Sequence, residues 1–277
     1  MRAPPTLFDL SARRQRQARA AAAPEFLDNA AIAEIEERLG EVNRTFLAPA
    51  IIGPRALFWR DALGLDATLL PEAETLDLAP AAQDLVLHAL SLHAANDPVG
   101  QLVQMRRALR PDGLMLAVAV GGATLTELRT ALAAAESEVL GGLSPRVAPM
   151  ADLRDLGGLL QRAGFALPVA DAVTLRLTYP DLDRLFEDLR GLGETNVLTA
   201  RHRATPPRRL FRRAAELYRE RFALPDGRLP ATVELLYLTG WAPAANQPQP
   251  LRPGSARHRL ADALNTREWS AGEPPGD

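Results

Sequence analysis

Residues 84–122 read DLVLHALSLHAANDPVGQLVQMRRALRPDGLMLAVAVGG, and this stretch decides the fold. An apolar strand from Asp84 is followed by an amphipathic helix that Asn96-Asp97-Pro98 opens. A Pro111-Asp112-Gly113 turn then leads into a second apolar strand ending at Gly121-Gly122. Two strands that are apolar on both faces and joined by one helix pair in parallel through a crossover, which is almost always right-handed. The expected unit is therefore βαβ, the building block of a doubly wound α/β sheet. Ligands of such sheets bind outside the carboxyl ends of the strands. Here that places the crevice around His88 to His93 and Val120 to Gly122.

The composition narrows the chemistry. At 277 residues, 47% hydrophobic and with a net charge of -2, the chain can bury one good core with appendages and carries no basic nucleic-acid footprint. It has no cysteine, which removes thiol catalysis, disulfides and cysteine-based zinc sites. Its four histidines, His88, His93, His202 and His258, are scattered, so no metal set is expected. Every basic side chain is arginine, which excludes Schiff-base and Walker-type lysine chemistry. No apolar run approaches the roughly 20 residues of a membrane span. A cytoplasmic location is expected.

Working outward, residues 1–23 are rich in Arg and Ala and superficially resemble an organelle transit peptide. The preferred reading is an amphipathic first helix whose Arg13, Arg14, Arg16 and Arg19 form a solvated face. Phe26, Leu27, Ile32, Ile35 and Leu39 mark a second helix over 24–39, and both helices are expected to pack beside the sheet as a lid. Strands over 48–52 and 67–70 with a short helix over 57–63 make a cramped first half of the sheet, since a βαβ unit usually takes roughly 30 residues or more. Behind Gly122, helices are expected over 124–140 and 151–163, and a strand over 169–179. Two more helices, 181–192 and 206–222, precede a last strand over 231–241 that returns antiparallel. The domain plan is N-terminal helices over 1–45, an α/β domain over 46–243 and a largely disordered tail over 244–277, with a helical turn near Leu260.

Several blocks together carry a resemblance: Leu7-Phe8-Asp9, DLVLHALSLHAAND, RRALRPDGLMLAV, GGATLTELR, GGLSPRVAPMADLRDLGGLLQRAGF, YPDLDRLFEDLRGLGETN and PATVELLYLTGWAP. Over about residues 6–243 the chain resembles the class I methyltransferase-like assembly factors of respiratory complex I. That family is itself similar to the malonyl-carrier-protein methyltransferases of biotin synthesis. The block from GGLSPRV to QRAGF is its most specific part. The resemblance implies a mostly parallel, Rossmann-like α/β sheet with N-terminal helices and a helical insertion before the last strand. It also implies S-adenosylmethionine as cofactor and, for the assembly-factor branch, action on an arginine of a complex I subunit, with hydroxylation as the attributed activity.

The resemblance further implies site residues. The family's first strand ends in an acid and a glycine-rich D-x-G-x-G-x-G loop, because glycines let backbone amides approach the ligand without a Cβ in the way. This chain has Ala48-Pro49-Ala50-Ile51-Ile52-Gly53-Pro54 instead, with Gly53 alone and a proline that removes a donor. The family's D-A-E-x-L element is matched by Glu72-Ala73-Glu74-Thr75-Leu76, which makes Glu72 the acceptor for the adenine amino group or an ordinary loop carboxylate. Glu74, His88 and Ser91 complete the cofactor-side candidates. His93 matches the family's L-H-W position with Ala94 in place of the aromatic; it is either a general base, a substrate hydrogen-bonding group or a satisfied structural residue. Arg146 is placed either to meet an acidic group or to join a surface ion-pair cluster with Asp152, Arg154 and Asp155. The pair Glu194 and Asn196 is placed to line the cleft beneath a lid.

Two functions follow. One is a methyltransferase-fold enzyme modifying a protein or small acid; the other is a catalytically degenerate module of the same fold that holds a partner such as a complex I subunit. The near-neutral charge speaks against nucleic acid as substrate.

Overall fold

The computed structural model describes residues 6–20, 25–248 and 266. Its first half runs α1 (Leu10–Arg19), α2 (Phe26–Glu41), β1 (Pro49–Ile52), α3 (Ala56–Leu63), β2 (Thr68–Leu70) and β3 (Gln83–Ala89). Then follow α4 (Pro98–Ala108), β4 (Leu109–Val120), α5 (Thr126–Leu140), α6 (Leu153–Arg162), β5 (Ala166–Tyr179), α7 (Leu182–Gly191), α8 (Arg208–Phe222) and β6 (Leu229–Trp241). The strands form one sheet in the order β2-β1-β3-β4-β6-β5. The first four positions are parallel, and β6 lies antiparallel between β4 and β5. This is the α/β, mostly parallel architecture expected, with α7 and α8 inserted before the last strand.

The βαβ unit forms as read. Asp97 caps α4 by accepting from the Gly100 amide at 2.8 Å, and Pro98 sits in the first turn, where its missing N–H costs nothing. Residues alternate across β3: Leu85 and Leu87 pack with α2 and α3 through Ile32, Ile35 and Trp59, whereas Val86 packs with α4 and α6 through Leu102, Met105 and Leu160. Each such fully buried aliphatic side chain contributes about 1.5–3 kcal/mol of transfer free energy. A third apolar cluster joins α5, α7 and α8.

One expectation about this unit is corrected. Pro111-Asp112-Gly113 is no free turn before the strand but lies inside β4. The Asp112 amide donates to the Ala242 carbonyl at 3.1 Å and the Ala242 amide to the Gly113 carbonyl at 2.8 Å, so pairing with the chain after β6 draws these residues into the ladder. Asp112 takes a left-handed φ of 62° to do so, and the register with β3 shifts there.

The abbreviated front half is held by polar ties. The Asp84 carboxylate accepts from the amides of Leu47 (2.6 Å) and Ala48 (3.0 Å), fixing the entry to β1. The buried Asp28 carboxylate accepts from Trp59 Nε1 at 2.7 Å and pairs with Arg55, tying α2 to α3. Residues 1–5, 21–24 and the tail beyond Pro248, Leu260 included, lie outside the described residues apart from residue 266. Among the described residues no helix is long and apolar enough to cross a membrane.

Candidate functional site

A short helix lies over the carboxyl ends of the parallel strands. α1 has almost no apolar face (LSARRQRQAR), so it docks through polar contacts. Asp9 caps it by accepting from the Ala12 amide at 3.0 Å, and Arg201 Nη2 reaches the same carboxylate at 2.8 Å. The segment before it is laced to the loop behind α7 by Asp9 N to Val197 O (2.8 Å) and Thr199 N to Leu7 O (2.9 Å). On the other side, Asn96 Oδ1 accepts from the Phe8 amide at 2.8 Å.

Arg13 projects from α1 into the interior and is 1% exposed, so the expected solvated face of arginines is corrected there: only Arg14 and Arg19 are exposed. Its Nε donates to both Glu72 carboxylate oxygens at 2.7 and 2.9 Å, and its two Nη atoms donate to the two oxygens of Glu194, each at 2.9 Å. Gln17, one turn on, adds a donor to Glu72 at 3.0 Å. Burial would lower the Arg13 pKa, but the two carboxylates outweigh it and hold the guanidinium above its ordinary range. Burial would likewise raise Glu194; Arg13, with His93 behind it, outweighs that and holds this carboxyl well below the usual carboxylate range.

His93 completes the cluster, with Nε2 3.6 Å from Glu194 Oε2. The Val120 amide donates to His93 Nδ1 at 3.4 Å, which assigns the ring proton to Nε2, facing Glu194. In this arrangement His93 can give a hydrogen bond from Nε2, while its other nitrogen is spoken for by the backbone. His93, Arg13 and Glu194 stand on the wall of a half-open cavity of about 1220 Å³ whose floor includes Val120, Leu125 and Leu128. A smaller cavity of about 590 Å³ lies beside Phe8 and Asn96, and His93 borders it too.

Of the other expected site residues, Gly53, Glu72, Glu74, His88 and Ser91 line neither cavity, whereas Arg146 and Asn196 line the larger one. Gly53 is buried behind β1, its amide donating to the Leu70 carbonyl at 3.1 Å; at φ 153° a Cβ there would stand 2.5 Å from the Ala89 carbonyl oxygen, so only glycine fits. Glu72 is engaged by Arg13. Glu74 is exposed and accepts from Asn96 Nδ2 at 3.3 Å. His88 and Ser91 are each 1% exposed: His88 Nε2 donates to Gln101 Oε1 at 2.8 Å, and the Ser91 hydroxyl lies 3.4 Å from His88 Nδ1. Burial pushes His88 down to about 4, which keeps it neutral. Arg146 makes an ion pair at 2.6 Å, with the nearly buried Glu136 rather than with Asp152 or Asp155; Asp152 instead caps α6. Glu194 stands beneath the lid as expected, whereas Arg13 was missed. The signal for it was the lack of an apolar stripe in α1.

A parallel sheet whose strand ends face a covered cavity, with helices on both faces, is a class I methyltransferase-like fold. YcgJ from Bacillus subtilis superposes with a TM-score of 0.50 at 10% identity, covering 78% of this chain and 100% of that one, which shows the fold. The chain is 31% identical over 234 residues to the malonyl-[acyl-carrier protein] O-methyltransferase of Methylovorus sp., covering 84% of this chain and 75% of that protein. It is 40% identical over 179 residues to the arginine-hydroxylase NDUFAF5, mitochondrial, of Danio rerio, covering 65% of this chain and 56% of the relative. The chain thus spans about half the length of the arginine-hydroxylase relatives it matches. No protein-family model matches it. The chain belongs to the methyltransferase-like family that these malonyl-[acyl-carrier protein] O-methyltransferase and arginine-hydroxylase relatives define.

Proposed function

We propose that the protein is an S-adenosylmethionine-dependent, methyltransferase-like enzyme that modifies a side chain of a respiratory complex I subunit. The observation that carries this reading is the Arg13–Glu194–His93 cluster at the carboxyl ends of β3 and β4, opening on a cavity large enough for an acceptor. Kinship with the arginine-hydroxylases supports the substrate class, and kinship with the O-methyltransferases supports the cofactor.

The cofactor's expected contacts are a stricter test. As folded here, the Gly53 amide, the Glu72 carboxylate and His88 are all satisfied by the protein itself, and these residues do not fit a nucleoside as they stand. Glu72 is the exception in one respect: its partners Arg13 and Gln17 both come from α1, so lifting that helix frees it. These satisfied groups favour a second reading, a non-catalytic module that holds the same partner.

Isothermal titration of the full chain with S-adenosylmethionine and with S-adenosylhomocysteine separates the two. The enzyme reading expects binding near the micromolar range, weakened by Glu72→Gln and strengthened by Arg13→Gln, which releases Glu72. Absence of heat at about millimolar ligand, where a Kd corresponds to only about 4 kcal/mol, sinks it in favour of the partner-binding module.

A further inference from the structure

One edge of the sheet is long and open. β5 stands last in the strand order and pairs only with β6. Its first half is guarded: Pro168 and a left-handed Leu167 (φ 48°) interrupt the ladder, and Arg38 holds the Asp171 carboxylate at 2.6 and 2.8 Å. Its second half, residues 172–178, reads AVTLRLT and carries one charge, Arg176. The direction of its backbone groups follows from β6. The Glu234 carbonyl accepts from the Gly121 amide at 2.8 Å, the Glu234 amide donates to Thr124 Oγ1 at 2.9 Å, and the Thr232 carbonyl accepts from the Leu125 amide at 2.8 Å, so both residues turn away from β5. Their opposites, Thr174 and Arg176, therefore turn their amides and carbonyls outward, as does Ala172. These groups have no partner among the described residues. Arg228 Nη2 takes the Thr178 carbonyl at 2.6 Å and ends the open stretch.

We propose that β5 is a self-association edge: a second copy of this chain adds its own β5 antiparallel, joining two six-stranded sheets across a two-fold axis at Leu175. Such an axis stands perpendicular to the sheet and keeps each side chain on its own face, so only its position along the strand is free. The residues set that position. Centred on Leu175, the open stretch matches itself from end to end. On the face that packs with α2, where Val173, Leu175 and Leu177 are half-buried, Leu175 meets Leu175 of the second copy and Val173 meets its Leu177. On the other, exposed face, Thr174 meets Arg176 of the second copy and Ala172 meets its Thr178. Thr174 and Arg176 then exchange both backbone hydrogen bonds, twice over by symmetry. A centre at Arg176 sets two guanidinium groups opposite each other, and a centre at Thr174 or Val173 sets Asp171 opposite a leucine. Pairing about Leu175 thus satisfies the outward backbone groups and covers an apolar stripe with its own copy. The inference does not depend on the enzyme reading.

The chain has no cysteine, so an introduced one reports the register directly. Sedimentation velocity of the full chain at about 100 μM, enough to populate a small interface, is expected to show twice the mass of one chain. Leu175→Cys, treated with oxidised glutathione, should lock that dimer through a disulfide, because directly opposite residues stand roughly 4.5–5.5 Å apart at Cβ. Ala172→Cys should not, since its two copies stand about 20 Å apart in this register. Thr174→Lys, an exposed change, faces Arg176 of the second copy and should weaken the dimer about fivefold or more; adding Arg176→Glu should restore it. A wild-type monomer at that concentration, a dimer that Leu175→Cys fails to lock or that Ala172→Cys locks as readily, or indifference to Thr174→Lys each overturns the proposal. Titration of the same samples with S-adenosylmethionine reads the enzyme hypothesis separately.

Discussion

Arg13 and Glu194 meet as a two-pronged pair, Nη1 to Oε2 and Nη2 to Oε1 both at 2.9 Å, across 181 positions of sequence. That contact joins the N-terminal helix to the loop behind α7, over the strand ends where the family's chemistry is sought. Because the same guanidinium also holds Glu72, three segments depend on one side chain.

Arg13→Ala leaves two carboxylates facing each other without a cation. The expected loss is ~2–4 kcal/mol, below the full cost for a completely buried pair because the Glu194 side chain is 28% exposed. Arg13→Lys should recover only part of it, since an ammonium cannot fork to both carboxylates at once. Urea denaturation reads both; a loss under about 0.5 kcal/mol for Arg13→Ala, as at an ordinary surface site, contradicts the buried-fork description.

His88 makes stability depend on pH. Its folded pKa, depressed to about 4 by burial, lies below the ordinary 6.5, so the unfolded chain binds the proton more readily. The contribution is complete above about 6.5 and is lost as pH falls toward 4, on the order of 3 kcal/mol in all. Chemical denaturation of wild type and His88→Gln across that window should show the slope flatten in the variant.

Gly53→Ala should destabilise the sheet by about 2–4 kcal/mol, because the new Cβ meets backbone at 2.5 Å in a conformation that alanine avoids. A change in thermal midpoint of less than about 2 °C contradicts that close approach.

Gly193→Ala tests the docking of α1. Gly193 has φ 73° and a Cβ there would stand 3.1 Å from the Gln17 backbone, so the substitution pushes the helix off its seat. Trypsin should then cleave at Arg13 or Arg16 several-fold faster than in wild type, while cleavage elsewhere is unchanged.

The sheet was legible because its signals are local. Runs such as LVLHA and LMLAVAV, a proline one step inside α4 and glycines closing α5 and α6 each set an element by short-range sterics. The place of β6 between β4 and β5 was less so: its antiparallel return could be read, but nothing in its residues names its neighbours. The site was legible in part. Glu194 and His93 were picked out by residue type and position, and both face the cavity. Arg13 was misread because an arginine in a polar helix looks solvated until carboxylates 59 and 181 positions away arrive beside it. The burial of His88 has the same origin: Gln101, which satisfies it, sits on the helix of the crossover, and only the packing of α4 against β3 brings them together.

The position of β6 also governs how the chain can assemble on a ribosome. Leu236 pairs with Ala119 on one side and with Ala172 on the other, so the sheet is bridged by the last of its described strands. Until Trp241 has emerged, β4 presents a bare edge and the long β5 has no partner in the sheet. Nascent chains stopped short of residue 229 should therefore recruit chaperones heavily, and completion of the sheet should wait on β6 rather than on β1.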